Sequence, residues 1–195
     1  MARNDMGLIA SPEDFWSVLR GVWFSPVRFF RGLDPSGGIV RPAIFASVVL
    51  YLDLLLETAL QMIWRLEFNF GLIYAPLFGL VVSIVLAPLL VAMLAILVLL
   101  VLGGGTLSRG GFGPLFRSLG YASGIGLVLW IPFAPLVAIP YGAFVATLAV
   151  KEASGVTWAR ASVATLVPLG AVVLTILLLL GPGEAAGFLV NPPGS

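Results

Sequence analysis

Two long stretches of this chain carry no charge at all: residues 68 to 108, between Glu67 and Arg109, and the 33 residues from Ser118 to Val150. Apolar runs of about 18 residues or more read as helices that cross a bilayer. In lipid the backbone must satisfy its own hydrogen bonds, which helices do within a single segment. The rest of the composition agrees, with 60% hydrophobic and 10% charged residues, against about 45 to 50% and 25% in soluble domains. The expected fold is all-α: a polytopic transmembrane helical bundle.

Five membrane helices are expected. The first, Ala43 to Trp64, is roughly 33 Å long at about 1.5 Å per residue and suits a hydrocarbon core of about 30 Å. The second runs from Leu77 to Leu102, with Pro88 near its middle as the site of a kink. Residues 118 to 150 are too long for one untilted crossing, and Pro132 and Pro135 break them near the centre. They read as a short hairpin, the third and fourth helices, at about Pro114 to Ile131 and Leu136 to Val150, which either spans or re-enters. The fifth helix is Ser162 to Gly181, closed by the turn Gly181-Pro182-Gly183. The chain thus divides into a cytoplasmic amphipathic segment at 1–42, a membrane domain at 43–181 and a short external tail at 182–195. The first apolar run begins too far from the N-terminus for a secretory signal, so residues 1–42 are expected to be retained.

Basic residues accumulate on the cytoplasmic side of membrane proteins. With the N-terminus inside and five passes, Arg3, Arg20, Arg28, Arg31, Arg41, Arg109, Arg117, Lys151 and Arg160 are all inside, and only Arg65 is outside. A single crossing by residues 118 to 150 would move Lys151 and Arg160 out, so the return hairpin is preferred. The C-terminus is then external. Usage rich in Arg, Ala, Gly and Leu points to a bacterial cytoplasmic (inner) membrane.

Ahead of the first span, Ser11-Pro12-Glu13-Asp14 has the order of a helix start, with Ser as N-cap, Pro at the first position and acids in the first turn. Phe15, Trp16, Val18, Leu19, Val22 and Trp23 fall within an arc of about 160° on a helical wheel. A second start at Ser25-Pro26 leads into Phe29 and Phe30. Trp16, Trp23, Phe29 and Phe30 are the candidate interfacial anchors. These helices either lie on lipid or pack beneath the bundle.

Asp53 and Glu57 are the only acids within an expected span, and with Gln61 and Arg65 they form a polar stripe at four-residue spacing from the midplane outward. Eleven Leu, Ile, Val or Phe in this span contribute on the order of 3 to 6 kcal/mol of insertion free energy, and two ionised acids cost about 5 to 7. The stripe therefore faces the bundle or water, is partly protonated, or meets partners; candidates are the hydroxyls of Ser83, Tyr121, Ser123, Tyr141, Thr147 and Thr165. One reading is a proton-coupled or cation-binding site; the other is a buried brace between helices.

The chain has no Cys and no His, which removes thiolate and imidazole metal sites, haem ligation, disulfides and His-assisted nucleophiles. No catalytic, metal or cofactor residue is expected, and a net charge of +1 argues against nucleic acid. The glycines around Arg109 lack the Lys-Ser or Lys-Thr of a phosphate loop. Gly120 and Gly124 form a GxxxG, and Gly142 belongs to a second small-residue ridge with Ala138 and Ala146. Such ridges let helices approach closely, within the hairpin or in self-association.

The layout resembles the bacterial branch of the Yip1-domain family over about residues 15 to 181. The likeness rests on Trp23, Pro26, Phe29 and Phe30 before Arg41-Pro42 at the start of the first span. It continues with a glycine-rich loop followed by Phe112, Phe116, Arg117, Gly120 and Tyr121, then the Pro-broken hairpin. It ends with Tyr141-Gly142 and with Gly155, Thr157, Arg160 and Ala161 before the last span. The resemblance implies a five-helix integral membrane protein with a cytoplasmic N-terminus. Eukaryotic relatives are associated with Golgi and endoplasmic reticulum trafficking, small GTPases and membrane shaping. Their long soluble N-terminal regions have no counterpart in these residues, so GTPase recruitment is not expected. The family supplies no catalytic residues, and Asp53 and Glu57 are not part of its pattern. The expected function is that of a non-enzymatic membrane protein that organises lipid or binds other membrane proteins. The alternative is a small proton-linked permease or lipid-moving protein built on Asp53 and Glu57.

Overall fold

The computed structural model describes residues 12–34, 37–65, 71–103 and 111–180, and every element among them is helical. In chain order these are α1 (Pro12–Phe24), α2 (Pro26–Arg31), α3 (Val40–Arg65), α4 (Gly71–Val101) and α5 (Phe112–Ala122). A 3-10 segment, Ser123–Val128, continues α5 and is followed by α6 (Pro135–Ser154) and α7 (Trp158–Leu180). The Ser11 cap, the glycine run at 104–110 and the tail at 182–195 lie outside the described residues.

Local chemistry explains where the helices begin and end. Pro26 occupies the first turn of α2, where its missing N–H costs nothing. α4 runs as one helix through Pro76 and Pro88. At the other end of the hairpin, Gly155 closes α6 in the left-handed region at φ 65°, donating its N–H to Lys151 O at 2.9 Å. Only glycine adopts that geometry freely. The chain then restarts at once, so α7 begins at Trp158, four residues before the start expected from sequence.

The third expected helix does not stay α-helical. It tightens to 3-10 geometry at Ser123–Val128, where Gly124 and Gly126 remove bulk, and then turns. Pro132 and Pro135 bring no N–H to this turn, and Phe133 takes the left-handed region at φ 65°, a strained choice for a residue with a Cβ.

α3 packs most extensively on α4, and α6 on α5 and α7. The main core joins Ala87, Val91, Ala95 and Val98 of α4 with Leu115, Phe116 and Leu119 of α5, Ala146 and Val150 of α6, and Ala161 and Ala164 of α7. The other faces of these helices are apolar and bare: Leu77, Phe78, Val81 and Val85 on α4, and Val163, Leu166, Val167 and Leu174 on α7. A soluble monomer does not leave patches of that extent uncovered. Among the described residues three helices are long and apolar enough to cross a membrane, Val40–Leu60, Pro76–Val101 and Pro135–Ser154, and Trp158–Val172 is a shorter apolar helix. This is a multi-pass helical membrane protein.

Candidate functional site

The polar groups with chemistry to offer gather where the hairpin, α3 and α1 meet. α5 and its 3-10 extension run alongside α3 in the same direction. Gly120 lies against Pro42, Gly124 against Phe45 and Gly126 against Val49. At the tip, Trp130 N–H donates to Asp53 Oδ1 at 3.2 Å. This bond has a clear physical motive. Most amides around the tip have a backbone acceptor: Leu129 donates to Gly126 O, Ile131 to Val128 O and Ala134 to Ile131 O. The Trp130 amide uses the Asp53 carboxyl instead, and in an apolar surrounding an unmet amide is costly.

Four of the six hydroxyls nominated as partners for the acids donate elsewhere. Ser83, Ser123 and Thr147 donate to carbonyls of their own helices, Leu80 O, Gly120 O and Ala143 O. Tyr121 stacks edge-on against Phe29 and Phe45. Tyr141 Oη donates to Trp23 O at 2.6 Å. Thr165 Oγ1 is buried without a hydrogen-bond partner. Asp53 thus meets main chain, a partner that composition and spacing do not reveal. Glu57 follows one turn later on α3, half-buried. α3 continues as helix to Arg65, while the side chains of Gln61 and Arg65 lie outside the described residues.

The four aromatic anchor candidates divide. Trp16 is 54% exposed and Phe30 only 4%. Trp23 and Phe29 are half-buried. Trp23 Nε1 donates to Gly124 O at 2.9 Å, so one residue accepts from α6 through its carbonyl and donates to the 3-10 segment through its ring. α1 is therefore stitched to both limbs of the hairpin. Leu19 and Val22 are buried beneath it, and Phe30 of α2 packs with Val145, Leu148 and Ala149 of α6. Replacing Trp23 with phenylalanine keeps most of the apolar contact and removes the donor. The expected loss is about 0.5 to 1.5 kcal/mol, read as a lower unfolding midpoint in detergent.

Gly120, Gly124 and Gly142 all serve packing within the chain. Gly120 and Gly124 face α3 and α1, while Gly142 faces Ile125 across the hairpin. A further residue, Arg117, is 6% exposed. Its Nη1 donates to Asp34 O and its Nε to Gly38 O at 3.4 Å. Buried guanidinium groups need such acceptors, and here they hold the α2–α3 connection against α5. A signal existed in the apolar residues on both sides of Arg117, but a charge at the edge of a span equally reads as a solvated loop residue. Nearby, Arg31 of α2 pairs with Glu152 of α6 at 3.6 Å, and Lys151 bonds the same carboxylate at 2.8 Å.

Among the described residues no group of three or more acids could hold a metal ion. In comparison with protein families, residues 20–180 match the Yip1 domain. Neither the curated proteins nor the solved structures give a match.

Proposed function

We propose, from the premise that the chain belongs to the Yip1-domain family, that it is a non-enzymatic protein which organises lipid by occupying more of one leaflet than the other. One observation carries this reading: the hairpin tip meets α3 at Asp53. Asp53 stands twelve residues from Arg41 and twelve from Arg65, or about 18 Å along the helix from each. The basic residues Arg31, Arg41, Arg117 and Lys151 gather toward the opposite end of the hairpin. In this reading α3, α4 and α7 cross, and the hairpin enters from the cytoplasm and returns at mid-depth, five membrane helices in all. α1 and α2 sit in the same half, so the protein is broad toward the cytoplasm and narrow beyond it. The N-terminus is then cytoplasmic and the C-terminus external. The proposed residence is a bacterial cytoplasmic membrane, with 1–42 as its cytoplasmic segment and 182–195 as its outer tail.

The chain has no cysteine, which makes topology straightforward to test. With Phe133→Cys, a membrane-impermeant maleimide is expected to leave the tip unlabelled from either side, while Asn69→Cys, between α3 and α4, reacts from outside. Labelling of Phe133→Cys from outside would show a hairpin that spans. The wedge itself is tested by reconstitution at rising protein-to-lipid ratio: vesicle diameter, measured by electron cryomicroscopy, should fall. Diameters equal to those of protein-free vesicles would dismiss the wedge.

A further inference from the structure

Between α3 and α4 lies an open groove of about 910 Å³. Its walls are almost wholly apolar, with Val40, Ser47 and Tyr51 on α3 and Ile84 and Leu89 on α4, and Phe116 of α5 adds to the lining. It follows α3 from Val40 to Tyr51, about 16 Å at the helical rise, which is about half of a 30 Å hydrocarbon core. It is separate from the hairpin junction described above and stands whether or not the hairpin bends a bilayer.

We infer that this groove is a binding site for one phospholipid of the leaflet next to Arg41, an acyl chain lying along α3 and an anionic headgroup meeting that guanidinium. Three observations support the choice. The groove has the length of one leaflet and ends at Tyr51, short of the outer half of α3. Its shape leaves space that neither side chains nor, given its apolar walls, water fills. Dispersion contacts on those walls are lost unless another apolar body supplies them. Arg41, outside the lining itself, is the exposed cation that follows Val40 in the first turn of α3, with the charge to match a phosphate. In a bilayer no hydrophobic driving force favours the groove over bulk lipid, because lipid tails are as apolar as leucine. Residence is therefore set by fit of the chain to the walls, and choice of lipid by Arg41.

The test uses the full chain reconstituted in vesicles of equal parts phosphatidylethanolamine and phosphatidylglycerol, each in turn carrying a photoreactive group on one acyl chain. After irradiation, adducts on the wild-type chain are expected to concentrate on residues 40–51 and 84–92, with about fivefold more from the phosphatidylglycerol probe, the preference that one Arg near a membrane surface supplies. Adducts spread evenly over these residues and the bare face of α7 would overturn the site. After detergent exchange, native mass spectrometry is expected to find one retained phospholipid per chain. Ser47→Phe with Ile84→Trp, which fills the groove from its walls, should remove it. Gly170→Trp on α7, where among the described residues nothing beyond its chain neighbours and its own helix backbone stands within 4 Å of an added Cβ, should not. Arg41→Gln should abolish the anionic preference while adducts persist at the same residues. A second copy of the chain in the groove, seen as a lipid-free dimer, or retention undiminished in the filled variant, would reject the proposal.

Discussion

Gly120→Ala is expected to destabilise the protein by about 1 to 3 kcal/mol, the usual cost of overpacking, although alanine is the better helix former. A Cβ at Gly120 stands 2.9 Å from Pro42 Cβ and 3.1 Å from Pro42 O. Neither atom swings aside, because one belongs to a ring and the other to the main chain of α3. The accommodation must be a shift of α5 away from α3, and that shift pulls on the Trp130 to Asp53 contact at the hairpin tip. Gly170→Ala on α7 is the matched control. Among the described residues nothing beyond its chain neighbours and its own helix backbone lies within 4 Å of its added Cβ, so the helix propensity gain of about 0.5 to 1 kcal/mol is left uncancelled. Thermal unfolding in one detergent should therefore show opposite signs for the same chemical change. Equal midpoints for the two variants would mean that α5 and α3 do not approach each other this closely.

Asp53→Ala is expected to cost about 1 to 3 kcal/mol, the range for leaving a buried donor without its acceptor. Asp53→Asn keeps an oxygen facing Trp130 N–H and should recover most of that loss. The pair separates the two readings of the acid. A brace needs an acceptor and no charge, so the asparagine variant unfolds close to wild type and the tip amide stays protected from hydrogen exchange. A proton-linked site needs a titrating group, so asparagine would abolish flux in liposomes while leaving stability intact. If alanine and asparagine prove equally destabilising, the carboxylate charge itself is required and the brace account is wrong.

Much of the architecture was legible because its causes are local. Uncharged runs mark the segments that avoid water, and Pro132 with Pro135 marks a break whatever surrounds it. Pro26 and Gly155 announce a start and a stop through their own backbone limits. The spacing of Gly120 and Gly124 signalled close packing, but its direction was not legible. Those glycines meet Pro42, Phe45 and Leu19 on α3 and α1 rather than the other limb of the hairpin. Three of the six hydroxyls suggested as partners of the acids, those of Ser83, Ser123 and Thr147, bond to the preceding turn, since Ser and Thr in apolar helices reach those carbonyls more readily than a neighbouring helix. Arg117 counted in sequence only as an inside charge and as part of the family likeness, because a cation at the edge of a span looks alike whether it is solvated or buried on carbonyl oxygens.

The amino-acid order alone determined that this chain is helical, lies largely in lipid, lacks thiol and imidazole chemistry, and turns back at its paired prolines. These follow from side-chain polarity and backbone restrictions that act within a few residues. Only the tertiary structure decided that Asp53 answers an amide 77 residues away and that Trp23 answers a carbonyl 101 residues away. Main-chain donors and acceptors are the same at nearly every position, so sequence carries no mark of which one a distant side chain will find. Their pairing is settled by which surfaces fit, and here the missing side chains of Gly120 and Gly124 bring α5, α3 and α1 close enough for it to occur.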